Sequence, residues 1–255
     1  MIMSVSKHYV PKGTSGMNIK PFAIIIILFS QFLYGSEIPL IFMEDGKLHY
    51  DGPLTEEGVL KFKETYNESS HPLRWMVIRS QGGEINTGIA LGEFIFEHNL
   101  NIVVNQYCFS SCANYVFTAA NKKRLGKSTL VGFHGGASSS FFNTGEMEEH
   151  IMSFPEEQRE SIRQEMSSQL NSYLIETKNS EHKYFDKIGV SALITTLGQE
   201  DKYSHLMDSG EYIGWYYSIS DLKKLGVKDI EVTNPPWEPV PPKGKLKVYM
   251  VGVGI

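Results

Sequence analysis

Three short stretches of the chain carry residue types that could together perform acyl transfer. The first is Ser80-Gln81-Gly82-Gly83, where two glycines separate an apolar run from a helical pattern. A glycine pair lets the backbone turn sharply and approach a ligand closely. The helix that follows aims its unbonded N–H groups at the same place. Donors held where negative charge will develop make an oxyanion hole, so Gly82 and Gly83 are candidates for one. The second stretch is Cys108-Phe109-Ser110-Ser111-Cys112-Ala113-Asn114, in which either serine could be a nucleophile held at a helix N-terminus. The third is His134, followed by two glycines. A neutral imidazole within hydrogen-bond reach of a hydroxyl can take its proton. Each stretch also has an ordinary structural meaning: a tight turn, a helix cap and a strand-end histidine. Their conjunction points to chemistry, because each supplies a different part of one site.

The elements around these residues explain how they could meet. Residues 73–79, with Trp75-Met76-Val77-Ile78 at the centre, read as a strand. Residues 85–98 carry Ile85, Ile89, Leu91, Phe94 and Ile95 at helical spacing. Residues 100–104 are a β-branched strand, 108–120 a turn and helix, and 130–133 another strand that ends at His134. Strand, turn and helix thus alternate over residues 73–134, which predicts an α/β fold with a mainly parallel sheet. Ligand sites gather at the carboxyl ends of parallel strands, and all three stretches fall at such ends.

The flanks are simpler. Thr55 with Glu56 and Glu57 opens a helix carrying Val59, Leu60, Phe62 and Tyr66. Residues 137–145 read as a loop, and the charged stretch 146–177 as helix with a solvated face. Residues 184–197 suggest a further helix, 212–217 a strand, and 220–226 a helix stopped by glycine. Lys122-Lys123-Arg124 reads as a solvated loop or helix end.

Composition sets the outer limits. The chain has 255 residues, 41% hydrophobic and 21% charged, with a formal net charge of −5. That balance suits a globular domain and gives no support for a nucleic-acid partner. Lys20, the apolar run 22–34 and the small residues Gly35-Ser36 make a secretory pattern, with Met17 as an alternative start. The run is shorter than the ~20 residues of a membrane helix. The expected organisation is an N-terminal extension and signal over 1–36, one domain over 37–234 and a proline-rich surface tail over 235–255. Export implies an oxidising compartment, where Cys108 and Cys112 could form one short bridge, the two facing the same side of a helical turn. With His134 the only plausible third ligand, zinc is not expected.

Ser80-Gln81-Gly82-Gly83, the serine turn, Ala119-Ala120 and Gly132-Phe133-His134 together resemble the Clp protease proteolytic subunit and signal peptide peptidase A. They most resemble a bacterial group of exported, Clp-protease-like proteins of the crotonase-type fold. The likeness covers residues 73–136 and extends weakly to Ser218–Leu222 and Gly226–Asp229. It implies an oxyanion hole at Gly82 and Gly83, a nucleophile in the cysteine turn and His134 as general base, with no cofactor. Position inside the cysteine pair favours Ser110. Counting back from Tyr115 and Ala119-Ala120 favours Ser111, which is the leading expectation, with Cys112 as a thiol alternative. The family's acidic third member has no counterpart in register within Gly210-Glu211-Tyr212-Ile213-Gly214, and Asp208 and Glu211 are out of step. The implied function is that of a serine peptidase in the cell envelope, acting on a peptide or protein near the membrane, in a ring-like or trimeric assembly. A non-catalytic scaffold of the same fold is the rival reading, and an acyl-CoA enzyme a third.

Overall fold

The computed structural model describes residues 38–139, 145–242 and 247–254. The secretory pattern over 1–36 lies outside the described residues. Nine strands are described. Six lie in one path of a mixed sheet, in the order β1 (Leu40–Glu44), β2 (Lys47–Asp51), β3 (Trp75–Ser80), β4 (Asn101–Phe109), β5 (Lys123–Leu125) and β8 (Ile230–Val232). A seventh, β6 (Leu130–Gly132), pairs with β4 off this path. The β1–β2 hairpin is antiparallel, and every other pairing in this sheet is parallel. The α/β class with a mostly parallel sheet therefore holds.

Period-two alternation decides which face is covered. Leu48 and Tyr50 of β2, Met76 and Ile78 of β3, and Ile102 and Val104 of β4 are buried. Helices α1 (Glu56–Glu68) and α2 (Ile85–Glu97) contribute Val59, Phe62, Ile89, Leu91 and Ile95 to the same core. Both helices start on side-chain caps. Thr55 Oγ1 accepts the Gly58 N–H at 3.0 Å, and the Glu84 carboxylate accepts from Asn86 and Thr87 at 2.9 and 2.6 Å. On the opposite face, Arg79 makes a bidentate pair with Asp51 at 2.6 Å, and the Arg124 guanidinium lies 4.6 Å over the Trp75 ring.

The structure differs from the sequence reading in several places. Strand β4 does not stop at residue 104. It passes through Gln106 at φ 69° and continues to Phe109. Its first half pairs with β5 and its second half with β6. Cys108 is consequently on a strand rather than on a helical turn with Cys112. The helix that follows has a π-helical body, Cys112–Phe117, all of it buried. The charged stretch from Glu156 onward and the first part of the helix expected over 184–197 are one helix. This α4 (Glu156–Ile188) is preceded by a short α3 (Gly145–Met152) and ends at Gly189, φ 69°. Two 3₁₀ turns replace the rest, Ala192–Thr195 and Leu197–Gln199. Helix α5 (Asp201–Asp208) follows. The tail from Pro235 is not simply a surface segment. Strand β9 (Lys247–Val251) pairs in parallel with β7 (Tyr212–Tyr217), and alternation buries Tyr249 and Val251. Helix α6 (Ile219–Lys224) starts at Ser218, whose Oγ accepts the Asp221 N–H at 3.1 Å.

The Lys122-Lys123-Arg124 cluster is also corrected. It enters β5, where Lys123 shares a face with the fully buried Leu125 and is only 3% exposed. Its ammonium donates to the carbonyls of Ala120 at 2.5 Å and Lys228 at 3.0 Å. Burial pulls its pKa down to about 8, partly opposed by Asp229. An unfolded lysine titrates near ~10.4. Between these values the unfolded chain binds more protons, so stability rises with pH across that window. The expected gain is on the order of 2–3 kcal/mol. Urea unfolding at pH 7.5 and 9.5 checks this: the wild type should be more stable at the higher pH, and Lys123→Met should flatten the difference.

Candidate active site

Register brings the three sequence stretches together. Ser80 at the end of β3 is opposite Cys108 of β4, and Phe109 of β4 is opposite Gly132 of β6. Three neighbouring strand ends therefore carry the glycine turn, the serine turn and His134. The Ser110 N–H donates to the Gly132 carbonyl at 2.9 Å, tying the second turn to the third strand.

Ser110 adopts φ 57°, the left-handed region that a residue with a β-carbon enters at a cost of order 1–3 kcal/mol. Two constraints hold it there. One is the bond to Gly132. The other is the Cys108–Cys112 disulfide, which joins the end of β4 to the first turn of the π-helix and spans the serines. The bridge removes Cys112 as a thiol nucleophile. In this conformation the Ser110 hydroxyl lies 2.7 Å from His134 Nε2. Ser111, the leading expectation, faces the other way. It is 2% exposed, and its Oγ donates to the Gly83 carbonyl at 2.7 Å. The order of the two serines is thereby reversed: the imidazole meets Ser110, and Ser111 fastens the glycine turn to the helix.

The glycine turn also differs from expectation. The Gly82 N–H donates to Ser80 Oγ at 3.1 Å, so it is engaged within the turn rather than presented as an oxyanion donor. What Gly82 supplies is close approach. At φ 96°, a β-carbon there would lie 2.7 Å from both the Phe109 carbonyl oxygen and Ser110 Cβ, and 2.9 Å from the Ser111 nitrogen. The glycine thus lets the serine turn pack directly against its backbone, with no room for a side chain between them.

His134 stacks on Phe109, with ring centroids 5.3 Å apart and planes at 16°. Its ring keeps an edge open to solvent, but protein atoms crowd it closely. This desolvation lowers its pKa from the ordinary 6.5, partly opposed by a hydrogen bond from the ring to its own backbone. That shift favours the neutral ring. The preceding Phe133 exchanges two backbone bonds with Trp215 of β7, at 2.8 and 2.7 Å. Gly214 beside it packs on His134, where a β-carbon would come within 3.0 Å of His134 Cβ. The segment in which the sequence showed no acid in register thus presents a glycine to the histidine. Among the described residues no carboxylate bonds to His134. Glu211 pairs instead with Lys247 at 2.6 Å, and the Asp208 side chain lies outside the described residues.

Sequence reasoning missed the residues that brace the histidine segment. Phe109, between the cysteine and the serine, offered no signal beyond its aromatic type. Asn114 is buried, and its Nδ2 donates to the Gly135 carbonyl at 2.7 Å. Glu181 of α4 accepts the N–H groups of Ala137 at 3.0 Å and Ser138 at 2.9 Å. A carboxylate in a helix rich in surface charges carries no sequence mark of burial. Among the described residues no group of three His, Cys, Asp or Glu side chains is placed to hold a metal. None of their helices is long and apolar enough to cross a membrane. No protein-family model matches the chain, and no curated protein matches it.

Proposed function

We propose that this protein is a serine hydrolase that cleaves a peptide bond by acyl transfer, with Ser110 as nucleophile and His134 as general base. The observation that carries the reading is the 2.7 Å contact between the Ser110 hydroxyl and His134 Nε2, made at a strained left-handed turn. Nε2 takes the hydroxyl proton as Oγ bonds to the substrate carbonyl carbon. The oxyanion that forms is held by the Ser111 N–H, with Gly83 as the second donor expected from the sequence. His134 then gives the proton to the leaving amine as the C–N bond breaks. Water attacks the acyl-enzyme next and passes a proton to His134, which returns it to Ser110 Oγ as the acyl C–O bond breaks. The reading agrees with a Clp-protease-like fold of the crotonase type, a location in the cell envelope, and a peptide or protein substrate.

The geometry favours a dyad, with the histidine oriented by stacking and by its backbone. A fluorophosphonate probe tests the reading: Oγ bonds to phosphorus, fluoride leaves, and His134 takes the proton. The expected result is one label, mapped by mass spectrometry to Ser110. Because burial depresses the His134 pKa, the labelling rate should lose its acid limb below pH 6.5 rather than at that value. An unlabelled wild type, at any pH from 5 to about 9, would leave the non-catalytic scaffold as the better account.

A further inference from the structure

A serine–histidine pair without a side-chain acid needs another means of holding the imidazole. The structure offers one on the far side of the histidine segment, and this inference rests on the hydrolase reading above. Glu181 is 0% exposed, and none of the ion pairs among the described residues includes it. A buried carboxylate without a cation is costly unless hydrogen bonds satisfy it. Three donors do so here. Oε1 accepts the Tyr115 hydroxyl at 2.7 Å and the Ala137 N–H at 3.0 Å, and Oε2 accepts the Ser138 N–H at 2.9 Å.

These donors come from two places that matter. Ala137 and Ser138 lie on the segment that leaves His134. Tyr115 lies on the π-helix that begins just after Ser110 and Ser111, and its ring packs edge-on against Tyr184 of α4. One carboxylate thus joins the base's segment to the nucleophile's helix. Asn114 adds a parallel tie from the same π-helix to the Gly135 carbonyl. We propose that Glu181 is a positioning residue, which fixes the His134 imidazole against Ser110 through the backbone of residues 135–138.

The test uses the full chain and measures fluorophosphonate inactivation, with kinact and KI determined separately and thermal midpoints recorded in parallel. Glu181→Gln turns an amide NH₂ toward a backbone N–H and loses at least one loop bond. Tyr115→Phe removes the phenol donor but leaves both loop amides held. The expected result is a kinact about ten- to a hundredfold lower in Glu181→Gln with KI within about twofold, and a kinact within about threefold of wild type in Tyr115→Phe. Should Glu181→Gln fail to fold, Glu181→Asp, too short to span both amides, carries the same expectation. A glutamine or aspartate variant that folds and keeps kinact within about twofold of wild type would overturn the proposal. So would a Tyr115→Phe loss equal to that of Glu181→Gln, which would mark a role in stability alone. If the wild type itself takes no label on Ser110, the hydrolase reading fails first and this inference goes with it.

Discussion

Ser110→Ala is expected to abolish labelling and to lower hydrolysis by about 10³-fold or more, while leaving the folded protein nearly as stable as wild type. Removing the nucleophile of a unit that acts together costs most of what the unit provides. The lost bond to His134 lies at a half-open edge of the molecule, where its net contribution to stability is only ~0.5–1.5 kcal/mol. Ser111→Ala should show the reverse. Its hydroxyl is buried on the Gly83 carbonyl, and the alanine would leave that acceptor unpaired. The expected cost is ~1–3 kcal/mol of stability with labelling retained. Urea unfolding and probe labelling of both variants separate the two roles. A labelled Ser110→Ala beside an unlabelled Ser111→Ala would restore the assignment that counting along the sequence favoured.

Gly82→Ala should damage both the fold and the serine turn. The new carbon would lie 2.7 Å from a backbone oxygen and from Ser110 Cβ, at φ 96°. Neither neighbour is a flexible side-chain end that could swing away, because the Ser110 turn is held by β6 and by the disulfide. Overpacking against fixed backbone costs ~1–3 kcal/mol, and the unfavourable φ adds ~1–2 kcal/mol. The strain can be relieved only by moving the serine turn off His134, so labelling should fall with stability. Gly46→Ala is the control. Gly46 sits in the β1–β2 turn at φ 68° with nothing within 4 Å of the added carbon. It should lose about 1–2 kcal/mol and keep its labelling. A Gly82→Ala protein that unfolds and labels like wild type would show that this close approach has no role.

Except for β5, the sequence by itself determined the order of elements from residue 73 to 134 and the convergence of three turns at one end of a parallel sheet. Those properties are local. β-branched runs, helical spacing and glycine turns declare strands, helices and their junctions over a few residues each, and parallel pairing then places successive strand ends side by side. Tertiary structure decided the rest. Ser110 and Ser111 are the same residue type one position apart, so only the left-handed backbone at Ser110, held by a strand far along the chain, sends one hydroxyl to His134 and the other to Gly83. The Gly82 N–H points at Ser80 rather than at the site because turn geometry depends on bonds that composition does not reveal. Lys123 was unreadable because the residue sharing its strand face, Leu125, drags it inward once β5 is paired. Glu181 was unreadable because a charge inside a polar helix gives the same pattern whether it meets water or three buried donors. Charge and spacing name the groups that could react; the long-range pairing of backbone amides and carbonyls selects which of them touch.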